Sequence, residues 1–239
     1  MINWNIDPKR REIVKHPAKR KVLVAGRRFG KSHLSLMWLL QKKIQAGERR
    51  WIVTPTYRQG KATTWKLMRQ IFRDYDCQIN ESELLVRLPN DAEIAIKGAE
   101  QENNLRGAGL DMVVMEEYSY IKPHVWDEII YPTLTTTDGS AFFIGTPNGY
   151  DHLYDAYLKG QSDDPDWKSW QYTTVDGGYV PKEEIVKAKA MMDERAFKTE
   201  FLASFETTGN RAAYNFDRSI HVKEAKELTS NLFWGMDFN

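Results

Sequence analysis

Residues 21–32, KVLVAGRRFGKS, and residues 111–117, DMVVMEE, hold the side chains with the clearest chemistry. In the first stretch an apolar run enters a loop containing Gly26 and Gly30, then passes directly into a helical pattern starting at Lys31. Binding a polyphosphate requires inward-pointing backbone N–H groups, a glycine where a Cβ would block approach, and the positive end of a helix dipole. The candidate nucleotide-binding residues are therefore Gly26, Arg27, Arg28, Phe29, Gly30, Lys31 and Ser32. Lys31 would reach the β- and γ-phosphates, and the Ser32 hydroxyl would ligate Mg²⁺. The pattern G-x-x-x-x-G-K-[ST] puts its first glycine at Ala25, so Gly26 is expected to take over part of that role. Two guanidinium groups in one loop, on Arg27 and Arg28, repel each other unless anions lie near, and an anion is expected there.

Phosphate chemistry next requires carboxylates at the end of a buried strand, one to hold Mg²⁺ and one to orient or deprotonate a water. Glu116 and Glu117 close the apolar run 112–115, at the C-terminal strand end where open α/β sheets place their ligands. Pleat alternation is expected to send the two side chains opposite ways. Glu116 is one methylene longer than the usual Asp, so it is expected to act through a metal-bound water or a shifted metal. Another strand pattern, 140–149, ends in Gly145-Thr146-Pro147, where Thr146 can bond the water or Glu117 and pass on the nucleotide state. The segment TPTYRQ, 54–59, can present Tyr57 to a base, with packing or turn chemistry as the simpler account.

A sheet must position these residues. Short apolar runs alternate with helical patterns, the signature of an α/β fold with a mostly parallel sheet flanked by helices. Central strands are expected at 21–25, 51–54, 112–115 and 141–145, nearly all apolar because both faces are covered. A hairpin is expected over 84–88 and 93–97, turning at Pro89-Asn90-Asp91. Helices are expected at 31–46 with Gly47 as the stop, and at 59–74, 123–130, 151–159 and 182–205. Beyond 207 the pattern loosens, and 232–238 reads as a new strand.

At 239 residues, 41% of them apolar, the chain suits one large domain or one domain plus the start of another, and global disorder is excluded. Its apolar runs fall far short of the roughly 18 to 20 residues that cross a bilayer, and no leader pattern opens the sequence. With a single cysteine, Cys77, a soluble protein of a reducing, cytoplasmic compartment is expected. The net charge of +1 hides 14 Lys and Arg against 3 Asp and Glu in the first 50 residues. A solvated basic face and a phosphate-binding role account equally well for that segregation.

Taken in order, AGRRFGKS, TPTYRQ, NNLRGAGLDMVVMEE, IGTPNG and the terminal WGMDFN resemble the large terminase subunit of tailed bacteriophages, the ATP-driven motor that packs double-stranded DNA into a procapsid. That resemblance spans the chain. It implies a P-loop NTPase domain of the RecA-like (ASCE) kind over 1–207, a linker over 208–230, and at 231–239 the first strand of a truncated RNase H-like nuclease. It also implies ATP and Mg²⁺ as cofactors. The implied partners are double-stranded DNA, the portal protein, the small terminase subunit and further copies in a homo-oligomeric ring. The implied location is the host cytoplasm and, transiently, the procapsid, with no membrane.

Carried over by residue, Lys31 and Ser32 match the Walker A lysine and hydroxyl, and Arg27 matches the loop arginine that senses or stabilises the γ-phosphate. Glu116 and Glu117 match the Walker B acid and the catalytic glutamate, and Thr146 lies in the coupling motif. Arg106 matches the position proposed in relatives as an arginine finger inserted into the neighbouring subunit's site. Asp237 matches the first metal-binding acid of the nuclease, but a two-metal nuclease needs several converging carboxylates, and no nuclease activity is expected from this chain. Near Arg10, where relatives often carry an adenine-reading Gln, the sequence has Lys9-Arg10-Arg11. The alternatives are a helicase-like P-loop ATPase and a non-catalytic nucleotide-binding assembly module.

Overall fold

Four strands lie where apolar runs predict them: β1 (Arg20–Ala25), β2 (Arg49–Thr54), β6 (Met112–Glu116) and β7 (Ser140–Gly145). The expected hairpin is β4 (Leu85–Arg87) and β5 (Glu93–Gly98), extended outward by β3 (Gln78–Asn80), and β8 (Trp167–Tyr172) adds a strand that the sequence did not suggest. In this computed structural model, which describes residues 7–107 and 109–206, the eight strands form one sheet in the order β3-β4-β5-β2-β6-β7-β1-β8. Pairing is parallel from β5 through β8 and antiparallel only at the β3-β4-β5 margin. The linker expected at 208–230, the strand expected at 231–239 and Asp237 lie outside the described residues.

Alternation along each strand divides the core in two. Leu23, Ile52, Val114 and Phe142 pack on one face with Trp38 of α2 (Lys31–Leu40) and Trp65 of α4 (Thr64–Phe72). Val22, Val53, Val113 and Phe143 pack on the other with Ile129, Leu134 of α5 (Tyr131–Thr135) and Leu153 of α6 (His152–Lys159). Among the described residues no helix is long and apolar enough to cross a membrane.

Three expected helices have different limits, each for a local reason. Helix α2 ends at Leu40 rather than 46 because the buried Arg50 guanidinium donates to the carbonyls of Leu39, Lys42 and Lys43, supplying donors where a continuing helix would have used its own N–H groups. The helix expected over 59–74 starts at Tyr57 and divides into α3 (Tyr57–Ala62) and α4 at Thr63, whose φ of −112° and ψ of −86° are not helical. The one expected over 182–205 becomes α8 (Lys182–Met191) and α9 (Glu194–Leu202), because Asp193 caps the second by accepting from Arg195 and Ala196 N–H groups. The segment Val125–Ile130 forms a wide π turn before α5, in which Tyr131 N–H reaches Trp126. Pro132 follows, and a proline ring clashes with the carbonyl four residues earlier in an ordinary helical ladder.

Two short helices complete the described chain: α1 (Pro8–Lys15), capped by Asp7, and α7 (Thr174–Gly177), opened by a Thr173–Asp176 capping box. Helix α1 is held down by a buried lysine. Lys21 Nζ donates to Ile13 and Val14 carbonyls, both at 2.9 Å, and burial, with Lys42 adding to it, pulls the amine down to about 7. An unfolded chain titrates Lys21 near 10.5. Between those values the unfolded state binds more protons, so stability rises with pH across the window, and the cost of the buried ammonium is fully present below about 7. Urea unfolding of Lys21→Met is expected to lose this rise between about pH 7 and 10, and equal pH slopes in the variant and the parent would contradict it.

Candidate nucleotide-binding site

The C-terminal ends of β1, β7 and β6 lie side by side, with Val24 opposite Gly145 and Ile144 opposite Glu116. Adjacent strands are about 4.8 Å apart, so the loop after β1 must reach across β7, roughly 10 Å, to meet the acid on β6. It does so through α2. Gly30 has φ 96°, which a glycine adopts freely, and it opens α2 with no side-chain cap, leaving first-turn N–H groups for an anion. Lys31 Nζ donates to Thr146 Oγ1 at 2.8 Å and to the Ala25 carbonyl at 2.9 Å. Ser32 Oγ donates to Glu116 Oε1. The loop, the two acids and Thr146 are thus brought together as expected, but Thr146 meets Lys31 rather than Glu117.

A cavity of about 660 Å³ opens over this floor, lined by Arg27 to His33, Gln59, Glu117, Tyr120, Thr146 and Glu200 among others. Glu117 enters it from a left-handed backbone, φ 52° and ψ 51°. The second acid therefore reaches the pocket through a strained turn rather than by pleat alternation alone. Such conformations cost a non-glycine residue about 1–3 kcal/mol and persist where surrounding structure holds them. Burial pulls the Lys31 amine below its ordinary value, and the Glu117 carboxylate opposes that shift.

Beside Arg27 the structure places a protein carboxylate. Glu200 of α9 accepts from Arg27 Nε and, at 3.1 Å, from Nη2, while the Glu200 carbonyl accepts from Arg27 N–H at 2.7 Å. Nothing in the local sequence marks Glu200, which lies 173 residues away. Arg28 lines the cavity from a left-handed backbone, φ 62°. Gly26 faces the same returning segment: a Cβ on it would stand 2.7 Å from the Phe201 carbonyl and 2.7 Å from Thr174 Oγ1. Arg10 braces the loop from α1, donating to the Phe29 carbonyl at 2.5 Å and the Gly177 carbonyl at 2.9 Å, with its guanidinium between the Phe29 and Tyr179 rings. Tyr57 is a packing residue, its hydroxyl donating to the Ser82 carbonyl at 2.8 Å.

Glu116 is 5% exposed, and its oxygens accept from two neutral hydroxyls, Ser32 and Thr64, without a cation in direct contact among the described residues. Burial pushes its carboxyl up, and those two hydrogen bonds oppose the shift. A buried carboxylate lacking a cationic partner, with a neutral hydroxyl on each oxygen, fits a hard divalent cation. Among the described residues no group of three or more His, Cys, Asp or Glu is arranged to hold a metal. Ser32 and Glu116 are the residues that would hold such an ion, which would neutralise phosphate charge when bound.

Arg106 is not part of this pocket. It is exposed after the 3₁₀ turn Glu102–Leu105, on the sheet face opposite α2, where it lines a hollow of about 340 Å³ with Trp51, Ala95 and Lys97.

A parallel sheet whose first strand runs through a glycine-opened loop into a helix, with lysine, hydroxyl and carboxylate converging at neighbouring strand ends, defines a P-loop NTPase fold. The chain belongs to the terminase large subunit family: residues 22–220 match the T4likevirus-type terminase large subunit, N-terminal. It is 27% identical to the large terminase subunit of Thermus phage G20c over 87% of this chain and 50% of that protein. The chain spans about half the length of the curated relatives it matches. The Thermus phage P74-26 large terminase ATPase domain superposes with a TM-score of 0.72 at 25% identity, over 85% of this chain and 95% of that one. A large terminase from another thermophilic bacteriophage shares the fold, with a TM-score of 0.70 at 12% identity over 84% of this chain and 54% of that one.

The tight contacts at Gly26 are backbone and a buried threonine, which yield poorly to an added methyl. Gly26→Ala is expected to destabilise the protein by about 1–3 kcal/mol in urea unfolding, whereas an unchanged midpoint would show that the loop has room to spare.

Proposed function

We propose that this chain is the ATP-hydrolysing motor domain of a viral DNA-packaging terminase, acting on double-stranded DNA with Mg²⁺ as cofactor. The observation that carries the proposal is that the α2 amino end and Glu117 line one cavity while Glu116 bonds Ser32 beside it, in a chain of the terminase family. Lys31 and the first-turn N–H groups of α2 bind the phosphates. Ser32 and Glu116 would hold the cation, which when bound would supply neutralisation of charge on the phosphate oxygens. Glu117 accepts the proton of the attacking water, and Arg27 exchanges its carboxylate partner for the γ-phosphate. Thr146, bonded to Lys31, connects phosphate occupancy to the turn after β7.

Arg106 faces away from its own loop, which suits a guanidinium that completes the site of a neighbouring copy in a homo-oligomeric ring. The portal protein and the small terminase subunit are the further partners proposed, in the host cytoplasm and on the procapsid.

Glu117→Gln is expected to retain ATP within about threefold of the parent affinity while lowering turnover by about a hundredfold or more in single-turnover assays. Loss of binding, or hydrolysis at the parent rate, would contradict the assigned role, and a non-catalytic module would show no turnover to lose. Specific activity should also rise with protein concentration. Mixing Arg106→Ala with Glu117→Gln should restore turnover above either alone, and a flat concentration series with no restoration would rule out action between copies.

A further inference from the structure

Helix α4 contributes a residue to the carboxylate that the motifs do not include. Thr64, the first residue of α4, is fully buried and donates from Oγ1 to Glu116 Oε2 at 2.5 Å, while Ser32 donates to the other oxygen. The break at Thr63 makes this possible. Thr63 Oγ1 turns back to the Gln59 carbonyl at 2.8 Å, closing α3, and α4 restarts with Thr64 directed at β6. The restart is anchored by Trp65, whose Nε1 donates to Glu81 at 2.8 Å, and by Met68 and Phe72 in the core.

We propose that Thr64 is a positioning residue for the metal-binding carboxylate: its hydroxyl fixes Glu116 Oε2 and thereby presents Oε1 beside the Ser32 hydroxyl to the cation. This rests on reading Ser32 and Glu116 as the metal site. Glutamate has one more rotatable bond than aspartate, so a carboxylate on the longer arm needs an outside contact to hold one orientation. A neutral hydroxyl provides it without neutralising the charge, whereas a lysine or arginine there would compete with the cation. Partners that orient a ligand in this way typically change metal affinity by about 10–100-fold when removed.

The test titrates Mg²⁺ against the full chain with a fluorescent, non-hydrolysable ATP analogue, comparing Thr64→Val and Thr64→Ser with the parent. Thr64→Val is expected to raise the Mg²⁺ concentration for half-maximal tightening about tenfold. Affinity for the analogue without Mg²⁺ should not change, and Thr64→Ser should restore the parent midpoint to within about twofold. In a Glu116→Gln background Thr64→Val should shift nothing further. Thr64→Ala replaces Thr64→Val if that variant shows no cooperative melt. An unchanged midpoint in the hydroxyl-free variant, or a Thr64→Ser shift as large, would overturn the proposal while leaving the metal site intact. A parent chain whose binding ignores Mg²⁺ would overturn the metal site, and this proposal with it.

Discussion

The loop that leads to the lysine leaves β1 and the carboxylate ends β6, strands that are not neighbours, so β7 between them must be spanned. That distance is fixed by backbone hydrogen bonding across the sheet. Helix α2 bridges it by starting at a left-handed glycine, so that consecutive residues Lys31 and Ser32 divide the work, one bonding Thr146 just after the middle strand and the other Glu116 at the end of the far one. On the opposite face of the sheet a Cβ on Gly145 would stand 2.8 Å from Leu153, so the end of β7 has no room there for a larger residue.

Much of this framework was legible beforehand because strands covered on both faces must be continuously apolar. The runs ending at Ala25, Thr54, Met115 and Gly145 stand out for that reason, and the loop and acids lie where those runs stop. Strand β8 was missed for the converse reason. At the sheet margin Trp167-Lys168-Ser169-Trp170-Gln171-Tyr172 is only half covered, and its mixed composition resembles a loop. Helix ends were misplaced where distant side chains decided them. Arg50 terminates α2 from the next strand, and periodicity cannot register a donor that arrives from elsewhere in the fold.

The site divides along the same line. Contiguous residues 26–32 and the pair at 116–117 were readable because their chemistry is local. Their supports were not. Glu200, Arg10 and Thr64 each touch the site from another element, and none sits in a pattern that the chain repeats or punctuates. Family membership and the P74-26 superposition agree with the fold and say nothing of these supports. They follow from burial and hydrogen bonding, since a buried carboxylate or guanidinium must find partners somewhere.

The wall behind the loop comes from the far end of the described chain, where the Phe201 carbonyl lies against Gly26 and the Glu200 carbonyl takes the Arg27 N–H. On a ribosome, which extends a chain at roughly 5–20 residues per second, residues 21–32 emerge long before the backbone that closes over them. A nascent chain halted ahead of α9 would therefore carry every signature residue of the loop and still lack one of its sides.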